Sequence, residues 1–490
     1  MEGLFNDSEI VIGLVGAVGT NLDEIVDIFS ERLKRYKYGT QKISVSSDIL
    51  SRFSSKPIYS LSEFERLTAY MDVGNDLREK GDSKAIALGV ADTIKSIRKD
   101  DDNPILCRTA HIIKSLKHPK EIKTLRGIYD NGFVVIGVYC DEQMRKQKLR
   151  DKGVREDQVN SLIARDEHES SGHGQHTRDA FELSDFFIEY DNNREKTKNS
   201  IYRICDLIFG HPFITPTADE FGMFMAYAAS LRSADLSRQI GASIMKDNEI
   251  LAMGVNDCPR FGGGLYWPEY NTASNQYEDT PDGRDYMVGR DSNKNCQYDL
   301  IVDVLETLHQ DVNAENIKSL KDSKLGDLTE YGRVVHAEME ALLMCSRNNI
   351  SCRGATLYGT TFPCHNCAKH IIAAGIKRVV YIEPYPKSKA IDFFGKDSIS
   401  MYREDERVSF EPFIGVGPRR FIEMFSMTSG NLYDRIRKEK ADPKGEAIKW
   451  NFDRANVRDS LLPTSYLDRE SVATVQFTEF VEKWSAEHHE

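Results

Sequence analysis

The chain reads as an α/β protein of two units. The first is a doubly wound P-loop-like domain over residues 1–210; the second is an α/β domain over 217–400, carrying an insertion at about 259–330. Residues 401–490 follow as an extension expected to pack on the second unit. Three observations predict this. A length of 490 residues exceeds one ordinary domain. Apolar strand-length runs alternate with amphipathic helix-length segments in both halves. Between them the segment 211–217 holds Pro212 and Pro216 without periodicity, then the acidic helix start Asp219-Glu220, as a linker does.

The first unit opens with an apolar strand at 9–15 and a turn, Gly16-Ala17-Val18-Gly19-Thr20. A helix follows at 21–35 with Ile25, Val26, Ile28, Phe29 and Leu33 on its inner side. Strand, glycine turn and helix start form a phosphate cradle, because backbone N–H groups at the helix N-terminus face the turn. Further strands are expected at 43–45, 105–108, 133–139 and 186–188 with helices between, which implies a mostly parallel sheet. The turn is a degenerate phosphate loop. Aligned on Gly19, Thr20 stands where the usual Lys belongs and Asn21 where Ser or Thr belongs. Nucleotide binding survives that loss better than phosphoryl transfer does, since the missing ammonium serves the β and γ phosphates. The bland alternative is a glycine turn packing a helix on a strand with no ligand. Arg165-Asp166-Glu167, Thr177-Arg178-Asp179 and the strand after Ser184-Asp185 resemble the lid and last strand of deoxynucleoside monophosphate kinases. On that resemblance Arg165 and Arg178 join Gly16, Gly19 and Thr20 as nucleotide-binding candidates. His168, His173 and His176 lie in the same polar stretch, which reads better as a solvated loop than as a second metal site.

The second unit begins with a helix at 221–231, a strand approached through Ser237-Arg238-Gln239-Ile240-Gly241, and its hairpin partner at 249–255. Its chemistry lies in His336-Ala337-Glu338 and Pro363-Cys364-His365-Asn366-Cys367. One imidazole (His336) and two thiolates (Cys364, Cys367) fill three positions of a tetrahedral Zn²⁺ and leave the fourth for water. Glu338, two residues beyond the His, can carry protons beside the metal without binding it. Helices are expected at 336–347 and 364–374, the latter with Pro363 at its start, and strands at 354–358 and 377–382. Both helix N-termini then converge on the metal and favour thiolate over thiol. A purely structural zinc would need a fourth protein ligand, for which His365 and His370 are the nearest candidates.

Bulk properties narrow the class. A net charge of −12 argues against duplex nucleic acid as the main partner, which demands a basic face. Nine cysteines, two of them assigned to metal, suit a reducing cytoplasm. No apolar run is long enough to span a bilayer.

The H-x-E…P-C-x-x-C arrangement resembles the cytidine and deoxycytidylate deaminase superfamily. That resemblance implies a three-layer α/β/α zinc deaminase domain, with Glu338 catalytic and Asn256, in Gly254-Val255-Asn256-Asp257, contacting substrate. A cap on the strand end is the other reading of Asn256. The insertion at 259–330 would close over the site or build a homo-oligomer contact. The two-domain order, the degenerate loop, Ser115-Leu116-Lys117-His118-Pro119 and the segment 408–421 together resemble anti-phage deoxycytidine triphosphate deaminases. Adjacent Arg419 and Arg420 in that tail read as a solvated turn more readily than as phosphate ligands. The resemblance implies deamination of a small deoxycytidine nucleotide, dCTP to dUTP, with a regulatory nucleotide on the first unit. A housekeeping dCMP deaminase and a nucleotide-sensing protein with a structural zinc are the alternatives.

Overall fold

The structure, a computed structural model, describes residues 8–54, 58–98, 105–167, 169, 173–191, 193–328, 330–429, 436–437, 440–459, 461 and 463–488. His168 and Gly172 of the polar stretch therefore lie outside the described residues. The chain forms two compact units, residues 1–217 with 414–490, and residues 218–413.

In the first unit β1 (Ile10–Gly16) leads through the glycine turn to α1 (Leu22–Arg35), whose start is capped by Asn21 accepting from the Glu24 N–H. There follow β2 (Gly39–Ser44), α2 (Glu63–Lys80), α3 (Ala85–Ile97), β3 (Thr109–Lys114), α4 (Pro119–Tyr129), β4 (Phe133–Tyr139), α5 (Glu142–Asp151), α6 (Glu156–Glu167), α7 (Thr177–Phe181), β5 (Phe186–Glu189) and α8 (Arg194–Ile208). The strands run parallel in the order β5-β4-β1-β3-β2. Alternation along β1 sends Ile10, Ile12 and Leu14 to the face covered by α1 and α8, and Val11 and Val15 to the face covered by α3 and α4. The sheet is thus doubly wound, as the alternation in sequence predicts. The third strand lies at 109–114 instead of 105–108, because its central His111 is a buried partner of Glu9 and breaks the apolar run.

The second unit holds α9 (Ala218–Ser230), β6 (Gly241–Lys246), β7 (Glu249–Val255), the exposed hairpin β8 (Glu269–Asn271) and β9 (Gln276–Glu278), α10 (Asp285–Val288), α11 (Ser292–Thr307), α12 (Ala314–Lys321), α13 (Ala337–Arg347), β10 (Thr356–Thr361), α14 (His365–Ala373), β11 (Arg378–Glu383), α15 (Ala390–Phe394), β12 (Ile399–Ser400) and β13 (Val408–Pro412). Its sheet order is β12-β13-β11-β10-β6-β7, parallel from β12 to β10 and antiparallel beyond. Ala242, Ile244 and Leu357 face α13 and α14. On the opposite face Ser243 Oγ donates to the Gly222 carbonyl of α9. Three layers result. A Cβ on Gly254 would overlap the Ala337 carbonyl, so only glycine lets the first turn of α13 sit this close to β7.

The extension departs from expectation, since residues 414–490 belong to the first unit. β14 (Gly415–Val416) pairs antiparallel with β5 and extends that sheet. The chain continues through α16 (Phe421–Phe425), the short pair β15 (Thr428–Ser429) and β16 (Ile436–Arg437), and α17 (Pro463–His488). Arg420 is buried, with partners Asp185, Glu423 and the Asn131 carbonyl, so it is an internal tie and no solvated turn. Tyr466, Ala473 and Phe477 of α17 complete the core over α3, where Gly89 makes room for the Phe477 ring. Burial of these side chains is the physical reason the extension lies here.

Candidate active site

His336 is the N-cap of α13 and Cys364 the N-cap of α14, so two helix starts bring the metal candidates together. His336 Nδ1 lies 3.4 Å from both Cys364 Sγ and Cys367 Sγ. A tetrahedral zinc with ordinary Zn–S and Zn–N lengths separates such donors by about 3.5 Å. The donor set fits a zinc site. It is the one group of three or more His, Cys, Asp or Glu side chains among the described residues with metal-binding spacing. A hydrogen bond from the Cys367 thiol and the adjacent His336 pull the Cys364 thiol well below its ordinary value against the effect of burial. The pocket therefore favours a thiolate before any metal enters. Cys364 also accepts from the Cys367 N–H, and Ser388 Oγ holds the Pro363 carbonyl at 2.8 Å.

Glu338 sits in the first turn of α13, buried, with Oε2 at 3.5 Å from Cys367 Sγ. Burial, and then the negative charge at Cys364, raise its carboxyl above the ordinary value. Among the described residues no further His, Cys, Asp or Glu joins the three as a fourth ligand. His365 points to Glu330 at 3.7 Å and stacks edgewise on Phe393, while His370 Nδ1 bonds its own helix at the Asn366 carbonyl, 2.7 Å.

The cytidine and deoxycytidylate deaminase zinc-binding region matches residues 216–383. The deoxycytidylate deaminase of Enterobacteria phage T4 is 32% identical over 167 residues, 34% of this chain and 77% of the phage protein. This chain belongs to the cytidine and deoxycytidylate deaminase family. The deoxycytidylate deaminase of Mycobacterium phage D29 is 29% identical over 167 residues, 34% of this chain and 94% of that protein. A crystal structure of a dCMP deaminase from the cyanophage S-TIM5 matches 41% of this chain and 100% of its own, at 20% identity and a TM-score of 0.23.

Asn256 has both halves of its amide engaged with backbone. Oδ1 accepts from the Ile240 N–H at 2.7 Å and Nδ2 donates to the Arg238 carbonyl at 2.8 Å. Those bonds describe the capping reading of this residue, and they fix the approach to β6 that carries Arg238. Asn256→Ala leaves the Ile240 N–H unpaired, a cost of about 1–3 kcal/mol. A higher KM with retained zinc is the expected result in steady-state assays; an unchanged KM would detach Asn256 from the site. Asp235, Arg238, Glu330 and Tyr385 complete the surroundings. Tyr385 is raised by burial and then by the charge of Cys364, and Asp235 acts on His336. None of the four was singled out from sequence, because no local spacing ties them to the motif.

In the first unit the expected nucleotide residues separate. Gly16 and Gly19 form the turn, Gly19 with φ +88, and the Thr20 N–H closes it on the Ala17 carbonyl at 3.1 Å. The two lid arginines are held by carboxylates. Arg165 pairs with Asp72 and Glu169, each at 2.8 Å, and Arg178 with Glu167 at 2.8 Å. His173 bonds Ser83 and His176 pairs with Asp179, so neither belongs to a metal group among the described residues.

Proposed function

We propose that this protein hydrolyses the C4 amine of free deoxycytidine nucleotides, dCTP first among them, giving dUTP and ammonia and draining the dCTP pool in anti-phage defence. The observation that carries the hydrolytic reading is the open tripod, His336, Cys364 and Cys367, with Glu338 beside it and neither His365 nor His370 turned in to close it. A bound zinc supplies a water that ionises near neutral pH. Glu338 accepts a proton from the attacking water and delivers it to N3 of the cytosine ring; it then takes the proton of the new C4 hydroxyl and passes it to the departing amine, so one carboxylate serves as base and acid in turn. Its burial keeps bulk water from competing for those protons. A free nucleotide needs no extrusion from a duplex.

Choice of dCTP is supported by the organisation of the chain, a doubly wound unit with a glycine turn in the same polypeptide as the deaminase unit. That first unit is read as a regulator binding nucleotide at its turn without transferring phosphate, since Thr20 replaces the loop Lys. The phage relatives favour a second reading, a dCMP deaminase making dUMP. Purified protein incubated separately with dCMP, dCDP and dCTP tests both by chromatography of the products. Faster dUTP formation from dCTP than dUMP from dCMP is the expected outcome; the reverse order selects the second reading. No helix among the described residues is long and apolar enough to cross a membrane.

Replacing both Cys364 and Cys367 by Ala should remove zinc and activity together, because a three-ligand site keeps only His336. Zinc retained at one equivalent in that variant, measured by atomic absorption, would place the metal elsewhere.

A further inference from the structure

The turn that should cradle a phosphate already holds a carboxylate. The Val18 N–H donates to Asp166 Oδ2 at 2.8 Å, and Asp166, at the end of α6, is fully buried. Lys117, just past the end of β3, places Nζ 2.8 Å from Asp166 Oδ1 and donates to the Gly16 carbonyl at 2.6 Å. An ammonium therefore stands at the turn, supplied from the loop after β3, although Thr20 does not provide one. Arg145 of α5 lies against the same turn, where a Cβ on Gly19 would come within 2.7 Å of its carbonyl. Its side chain is 7% exposed and spends one nitrogen on Glu167, the neighbour of Asp166, at 3.1 Å. Nε and Nη1 are buried without a hydrogen-bond partner. Unpaired donors on a buried cation are costly, and a group that accepts from them would recover that cost.

Charge points the same way. Among the described residues the ion pairs of Lys117, Arg145 and Arg178 run to Asp166 and Glu167, three cations to two carboxylates. A phosphoryl group offers several acceptor oxygens and up to two negative charges, which matches what the carboxylates now satisfy in part.

We propose that the turn from Gly16 to Thr20 is a phosphate site held shut by its own chain. Asp166 is the resident anion, and Lys117 with Arg145 are the cations a phosphoryl group meets when the end of α6 withdraws. The ligand class is a phosphate-bearing molecule, and the proposal rests on reading the turn as an anion cradle, with no dependence on the deaminase chemistry. Ligand and Asp166 compete for the Val18 N–H and for Lys117, so occupancy of the turn moves α6.

The test titrates the full-length protein with inorganic phosphate, tripolyphosphate and ATP by calorimetry, comparing wild type with Asp166→Asn. The amide removes the competing charge at nearly constant volume. Asp166→Asn should bind tripolyphosphate or ATP about tenfold more tightly, a normal size for such coupling, and adding Lys117→Met or Arg145→Met should abolish the gain. ATP gaining where tripolyphosphate does not identifies a nucleotide; equal gains identify the phosphate chain alone. A folded Asp166→Asn that binds no more tightly overturns the proposal, as does a gain that persists without Lys117 and Arg145. Should Asp166→Asn fail to fold, Glu167→Gln frees Arg145 and Arg178 and must show the same tightening, or the proposal falls. Deamination measured on the same samples keeps the readings separate, because a protein that binds phosphate here and deaminates nothing contradicts only the deaminase reading.

Discussion

Glu338→Gln is expected to lower turnover of a cytosine nucleotide by about 10²–10⁴-fold or more while zinc remains at one equivalent. Gln fills the same volume on α13 and leaves His336, Cys364 and Cys367 untouched, but it cannot accept the proton of the attacking water. The loss should fall on kcat more than on KM, because proton transfer is confined to the transition state. Stopped assays with metal analysis on the same preparation decide it. Near wild-type turnover at full zinc occupancy would remove Glu338 from the mechanism.

The largest stability effect is expected at Arg98. Its guanidinium is buried between Glu9, which it binds at 2.7 Å, and Glu470 of α17. Tyr466 donates to Glu9 and Tyr129 to Glu470, each at 2.6 Å, so one cation joins β1, α4 and α17. Arg98→Met leaves two carboxylates buried without their cation, a loss of about 3–5 kcal/mol. Denaturation in urea should show the midpoint of the first unit falling by that amount while zinc stays bound; an unchanged midpoint would mean the network contributes nothing. Within this network Glu9 predicts acid sensitivity, whereas burial raises the Glu470 carboxyl and acts the other way. Burial pushes the Glu9 carboxyl up, but hydrogen bonds from His111 and Arg98 outweigh it and hold it at about 2, below the ordinary 4.5. Its folded pKa is depressed, so its contribution is complete above about 4.5 and is lost as pH falls from there toward 2.

What could be read in advance follows from how local each signal is. The metal centre was legible because its ligands come as short motifs, His336 with Glu338 and Cys364 with Cys367, at the starts of two helices. The doubly wound sheet was legible through alternating apolar strands such as β1 and β4. The third strand lies four residues later than its apolar run suggests because the buried hydrogen-bonded pair of His111 and Glu9 looks polar in sequence. Asp166 in the glycine turn joins residues 148 positions apart, and no spacing announces such a contact. For the same reason the tail was assigned to the wrong unit. Its pairing of β14 with β5 and the burial of Arg420 and Phe477 show where it belongs. Asn256 stands out in sequence as a substrate contact or a strand-end cap, and its amide bonds to the backbone of Arg238 and Ile240, sixteen to eighteen residues earlier, which no local spacing announces.

The central claim, a hydrolytic zinc centre acting on free cytosine nucleotides, is tested most directly by titrating zinc into chelator-stripped protein while following conversion of dCTP and dCMP to their uracil products. Activity should rise in proportion to zinc and level off at one equivalent per chain, with ammonia released in equal amount to product. Protein that takes up one zinc at His336, Cys364 and Cys367 yet deaminates no cytosine nucleotide would contradict the account and make the metal structural.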